Sequence, residues 1–116
     1  MTRWGMTEAM IRDCIDACLA CVQACETCAT ACLAEPDIDM MRGCIRLDRD
    51  CADVCALTAR LLMRGSDLHA QACALCAEAC EACAAECGQH HHDHCQRCAD
   101  ACRRCAEVCR QMVAAA

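Results

Sequence analysis

The stretch CIDACLACVQACETCATAC, residues 14–32, places six cysteines in nineteen residues at spacings of four, three, four, three and four. Spacings of three and four keep residues on one face of an α-helix, the face that packs against neighbouring helices in a bundle. Bundle cores are usually built from leucine, isoleucine and valine. The stretch therefore predicts a helix whose buried face consists of thiols.

The same pattern recurs along the chain. Residues 73–87, CALCAEACEACAAEC, and residues 95–109, CQRCADACRRCAEVC, carry five cysteines each at identical spacings. Residues 38–64 carry only three, but these also fit one helix face. Each of the nineteen cysteines is thus expected on an inward face and is a candidate metal ligand: Cys14, Cys18, Cys21, Cys25, Cys28, Cys32, Cys44, Cys51, Cys55, Cys73, Cys76, Cys80, Cys83, Cys87, Cys95, Cys98, Cys102, Cys105 and Cys109.

The composition and the positions of typical helix-capping residues predict an all-α fold. Alanine favours helices, β-branched residues are few, and Thr7, Asp37, Gly65 and Gly88 stand where helices should begin or end. Short connections force neighbouring helices to run antiparallel. We expect one domain over residues 1–116, an up-down-up-down four-helix bundle with a cysteine-lined core. Its helices are predicted at about residues 7–34, 38–64, 68–87 and 91–113.

Several classes of protein do not fit this sequence. Nineteen cysteines cannot all pair within one chain, and the N-terminal residues lack an apolar run of signal-peptide length. We therefore expect free thiols and a cytoplasmic location rather than a disulfide scaffold. No segment approaches 18 uncharged apolar residues, so we expect no membrane span. A net charge of −6 argues against a nucleic-acid partner.

Pairs of cysteines four residues apart indicate a soft metal. Their Cβ atoms stand about 5–6 Å apart on a helix, so two thiolates can hold one ion between them. Thiolates select Cu(I), Zn(II) or iron–sulfur clusters. Zn(II) prefers four tetrahedral ligands, and a single cluster would leave most of the nineteen cysteines idle. Many Cu(I) ions, on the order of one per cysteine, neutralise such a core best. A general Zn(II) buffer and an iron–sulfur or thiol redox protein are the alternatives.

These stacked CxxxC helices resemble the bacterial copper storage proteins, a family of cysteine-lined four-helix bundles. The likeness covers nearly the whole chain and is closest to the cytosolic branch of the family. The resemblance implies storage of Cu(I) with the cysteines as ligands and a homotetrameric assembly. We expect no enzymatic activity, because the inward positions are occupied by ligands and no poised pair of nucleophile and base is visible.

The two ends of the predicted bundle differ in chemistry. The turns between the first and second helices and between the third and fourth helices share one end, which we call the mouth. Histidines and methionines collect there, and we expect copper to enter through them: Met40, Met41, His90, His91, His92 and His94. The opposite end is expected to be an apolar plug beside His69: Met10, Ile11, Leu61, Leu62, Leu68, Met112 and Val113.

Four residues other than cysteine are predicted to bind copper. His90 and His91 lie on extensions of the cysteine faces, and His94 directly precedes Cys95. Imidazole suits copper, although a solvated polar turn would look the same in sequence. Asp48 falls on the cysteine face of the second helix. It is predicted either to turn to solvent at the helix edge or to point inward, where it coordinates copper or orients a histidine.

A second apolar stripe lies on the first two helices, away from the thiols. Helices 3 and 4 have few equivalents. We expect this helix 1–helix 2 face to form the interface of a homo-oligomer, and its members are Ile15, Leu19, Val22, Met40, Leu47, Val54 and Leu61.

Overall fold

The computed structural model describes residues 5–116, and these residues form four α-helices and no strand. The helices are α1 (Glu8–Leu33), α2 (Ile38–Met63), α3 (His69–Cys87) and α4 (Asp93–Ala115). Each helix packs on its two neighbours in the order α1, α2, α3, α4 and back to α1. The result is an elongated antiparallel bundle of 50 × 19 × 18 Å. The predicted fold class is confirmed.

The start of α1 combines two local signals. Thr7 is the N-cap, and its hydroxyl accepts a hydrogen bond from the backbone N–H of Met10 at 3.1 Å. Met6 precedes the cap and is completely buried, although it lies outside the helix. An apolar residue directly before an N-cap commonly packs on the first turns of the helix, which fixes the angle at which the chain enters. Met6 was not among the residues predicted to form the plug.

The observed helix caps agree only in part with the capping residues predicted from the sequence. Gly65 has φ +66°, a left-handed conformation that glycine adopts without steric cost. Asp37 is the N-cap of α2, but its side chain makes no capping hydrogen bond. Leu68 is the N-cap of α3, and the Ser66 hydroxyl accepts a hydrogen bond from the Leu68 N–H at 3.1 Å.

Two placements expected from the sequence are wrong. Helix α4 begins at Asp93 rather than His91, because His92 still has an extended backbone with ψ 138°. Leu68 was assigned to the apolar plug, but 59% of it is exposed. The plug contains Met6 together with the predicted members Leu62 and Met112, and all three are buried.

Helix α1 is long and apolar enough to cross a bilayer by length and composition alone, contrary to the expectation from the sequence. Cysteine and alanine account for the apolar character of α1, and all six of its cysteines are fully buried in the bundle. The core helix of a globular bundle passes the same test.

Candidate metal centre

Thiols line the inside of the bundle from one end to the other. All nineteen cysteines are free and have no exposed surface. Alanines such as Ala77 and Ala99 flank them and are also fully buried, and their small side chains leave little bulk between the helices. The register of the helices therefore makes the core an uninterrupted column of sulfur.

Neighbouring sulfurs stand close enough to share metal ions. Cys21 and Cys102 are 3.6 Å apart, and Cys51 and Cys80 are 3.5 Å apart. Two metal–thiolate bonds of the length that Zn(II) makes span about 4.6 Å in a line, so small adjustments open these gaps to hold ions. Cys44 and Cys87 stand closer, at 2.7 Å.

Several groups of four ligand atoms lie within 4.8 Å of one another. Cys21, Cys25, Cys102 and Cys105 each belong to two of these groups, so the groups are linked rather than isolated. A core of linked sites favours a continuous metal–sulfur cluster over separate ions. The thiol groups are Cys18, Cys76, Cys105 and Cys109; Cys21, Cys55, Cys80 and Cys105; Cys21, Cys25, Cys51 and Cys102; and Cys25, Cys83, Cys98 and Cys102.

Asp48 is buried among these thiols. It has no exposed surface, and its Oδ1 accepts hydrogen bonds from the thiols of Cys98 at 3.1 Å, Cys83 at 3.2 Å and Cys87 at 3.3 Å. Of the two orientations left open by the sequence, the inward one is observed. Burial, reinforced by the bond from Cys98, raises the pKa of Asp48 to about 8, so the carboxyl group stays protonated in the metal-free core.

His94 is the histidine that reaches the thiols. Its Nδ1 lies 3.4 Å from the sulfur of Cys28 and 3.5 Å from the sulfur of Cys95. Together with Cys32 these atoms form one of the groups of possible metal ligands. The opposite ring nitrogen, Nε2, lies 3.2 Å from a carboxylate oxygen of Glu35. His94 therefore stands between the thiol core and the polar surface of the mouth.

The structure does not bring the other predicted histidines to the thiols. His90 Nε2 lies 2.7 Å from Glu86, one turn earlier in α3. His91 is exposed and makes no hydrogen bond to a thiol of the described chain. No contact with a thiol supports these two residues as copper ligands, and their assignment stays a prediction.

The two methionines at the mouth point in opposite directions. Met41 is fully buried at the end of the thiol column, whereas 70% of Met40 is exposed. At the other end of the bundle, His69 is buried and its Nδ1 lies 3.1 Å from the carbonyl oxygen of Ser66. This contact ties His69 to the turn before α3, as expected for a residue of the plug.

Burial keeps two thiols at the mouth, those of Cys32 and Cys95, protonated. Removal from water raises the pKa of Cys32 above its ordinary value and that of Cys95 to about 12. A metal ion that binds these sulfurs must therefore displace their protons, so loading releases protons and becomes less favourable as the pH falls.

Residues 7–114 match the copper storage protein family. This match covers most of the chain, which therefore belongs to that family, and the resemblance inferred from the sequence is confirmed. A curated relative, the uncharacterised cysteine-rich protein YhjQ of Bacillus subtilis (strain 168), is 54% identical over 63 residues. That alignment covers 54% of this chain and 58% of the relative, so it spans less than two thirds of the relative's length.

Solved structures resemble the chain over nearly its full length. The Cu(I)-bound copper storage protein BsCsp3 of Bacillus subtilis is 52% identical, with a TM-score of 0.87 over 90% of this chain and 98% of that chain. A cytosolic copper storage protein from Streptomyces lividans, solved with five coppers, is 43% identical. Its TM-score is 0.89 over 91% of this chain and 93% of that chain.

The protonated Asp48 makes the stability of the copper-free protein depend on pH. Between about pH 4 and pH 8 the folded state keeps a proton that the unfolded state releases, so stability falls as the pH rises through this window. The change is about 1.4 kcal/mol per pH unit, or about 3 kcal/mol from pH 5 to pH 7. Asp48→Asn removes this part of the dependence, which guanidinium unfolding of the reduced protein measures.

Asp16→Asn, at an exposed position of α1, is the matched control and keeps the wild-type slope. Equal slopes for the wild type and Asp48→Asn would contradict a buried proton on Asp48.

Proposed function

We propose that the chain stores many Cu(I) ions in the cytosol by binding them with the thiolates inside its helical bundle. The observation that carries this proposal is the continuous column of nineteen buried, unpaired cysteines with linked groups of sulfur atoms. A site for catalysis needs room for a substrate beside a reactive group, whereas the inward positions here are filled by ligands. The proposed ligands of the stored copper are all nineteen cysteines together with Asp48, and His94 is proposed to bind copper as it enters.

Charge favours Cu(I) over Zn(II) as the stored ion. One Cu(I) replaces the proton of one thiol, so the core stays close to neutral when on the order of one ion binds per cysteine. Zn(II) bound by four thiolates leaves about two negative charges at each site, and buried charge without a partner is strongly unfavourable. Two similar proteins, one solved with Cu(I) bound and one with five coppers, support Cu(I) as the ion that this chain stores.

Anaerobic titration of the reduced protein with Cu(I) in the presence of a competing chelator tests the stored ion. We expect saturation at about one Cu(I) per cysteine, because each thiolate accepts one monovalent ion. A parallel titration with Zn(II) should saturate at about a quarter of that number, since each ion takes four thiolates. A copper capacity no higher than the zinc capacity would refute the proposal, and a brown protein as purified would point to an iron–sulfur cluster.

Copper is proposed to enter through the mouth at His94. The side chain of this residue is 12% exposed and its Nδ1 atom lies beside the sulfurs of Cys28 and Cys95, so His94 can take an ion that enters the mouth and pass it to the thiols. Imidazole binds copper but is a poorer match for the soft Cu(I) ion than thiolate, which favours transfer inward. His90 and His91 remain proposed outer ligands at the same end.

His94→Ala is expected to slow copper loading by about tenfold without changing the final capacity, because the thiols that hold the metal are intact. Stopped-flow mixing with a Cu(I)–chelator complex gives the rate, and copper analysis gives the capacity. Gln89→Ala, at an exposed position in the same turn, is the control and should load at the wild-type rate. Equal rates for His94→Ala and the wild type would contradict entry at this residue.

The outer face of α1 and α2 is proposed to be the interface of a homo-oligomer, a tetramer by family resemblance. Leu19, Met40 and the half-buried Val54 leave apolar surface on this face.

Leu19→Glu tests this interface, since a charge buried in an apolar contact is unfavourable. The variant should dissociate the oligomer in light scattering coupled to gel filtration and keep its copper capacity. Leu75→Glu is the matched control, because Leu75 has a similar exposure, 49% against 45%, but lies on α3. A monomeric wild type at micromolar concentration, or equal masses for the two variants, would contradict the proposal.

A further inference from the structure

A cluster of nitrogen and oxygen ligands lies at the mouth, outside the thiol column. Glu35, in the turn between α1 and α2, is placed between two histidines from the start of α4. One carboxylate oxygen lies 3.3 Å from His92 Nδ1, and the other lies 3.2 Å from His94 Nε2. The three side chains are largely shielded, with exposed fractions of 24%, 31% and 12% for Glu35, His92 and His94.

Each histidine is held by its other ring nitrogen. His92 Nε2 lies 3.2 Å from Oδ1 of Asp37, the residue whose carboxylate does not cap α2. His94 Nδ1 faces the sulfurs of Cys28 and Cys95. The two rings are parallel within 5° and their centroids are 5.3 Å apart. The Glu35 carboxylate only accepts hydrogen bonds, so His92 Nδ1 and His94 Nε2 donate N–H groups to it, and a metal ion bound among the three side chains would displace these two protons.

We propose that His92, His94 and Glu35 form a binding site for one divalent transition-metal ion of the Zn(II) and Co(II) class. Two imidazoles and one carboxylate are borderline and hard ligands, which suit such ions rather than Cu(I). The contact between Asp37 and His92 is the carboxylate–histidine arrangement that commonly orients a metal-binding imidazole and raises its basicity. None of the other groups of side chains described above combines two imidazoles with a carboxylate.

The site is compatible with a core full of copper. A neutral imidazole has one lone pair, so His94 binds either an incoming Cu(I) through Nδ1 or a divalent ion through Nε2. Once copper has moved on to the thiolates, His94 is available to the outer site. An ion there joins the turn that carries Glu35 to the turn that carries His92, and so links the two hairpins of the bundle across the mouth.

Titration of the Cu(I)-loaded protein with Co(II) tests the site, because its thiols are already occupied. We expect about one Co(II) per chain, with weak visible d–d absorption and without the intense near-ultraviolet band of sulfur-to-cobalt charge transfer. His92→Ala and Glu35→Gln should abolish this binding. Asp37→Asn should weaken it by about 10–100-fold, the usual effect of removing the partner of a metal-binding histidine.

Glu86→Gln is the matched control for Glu35→Gln, since Glu86 is also paired with a histidine, His90, but lies outside the cluster. It should bind Co(II) like the wild type. Copper content is measured first for every variant and should not change, which separates loss of the outer site from failure of the core. The proposal is overturned if the loaded wild type binds no Co(II), if its Co(II) shows sulfur charge transfer, or if His92→Ala and Glu35→Gln bind normally.

Discussion

The structure depends on keeping nineteen buried thiols electrically neutral inside four rigid helices. Thiolates removed from water repel one another and are strongly destabilised, so each sulfur must carry a proton or share a metal ion. Helix faces hold the sulfurs at fixed positions, with several neighbouring pairs within 4.0 Å of each other, and they cannot fold around a single ion as a loop can. A monovalent ion for each displaced proton satisfies both the charge and the geometry.

The same requirement for neutrality determines where the polar residues lie. Asp48 is accommodated in the core because it holds a proton and accepts hydrogen bonds from three thiols. His94 is the residue in contact with both environments, with Cys28 on one side of its ring and Glu35 on the other. Soft sulfur ligands thus lie inside the column, and nitrogen and oxygen ligands lie at its mouth. This separation gives copper and divalent ions different places on the same molecule.

Helical periodicity made most of the core predictable. A face defined by cysteines at spacings of three and four is buried as expected, and the register of the same face places Asp48 correctly. Helical periodicity does not predict where side chains lie in the turns. The helix extension that put His91 on the cysteine face fails because α4 starts two residues later. Glu35 and Asp37 meet His92 only because two hairpins converge in space, and neither residue had a signal in the sequence beyond its position in a turn.

X-ray absorption spectroscopy of the fully loaded protein tests the central claim most directly, that a continuous thiolate core holds many Cu(I) ions. The edge should be that of Cu(I), and the scattering should show sulfur neighbours together with nearby copper atoms, because linked sulfur groups bring ions close together. A coordination shell of nitrogen or oxygen, or copper atoms bound to sulfur without copper neighbours, would contradict the account.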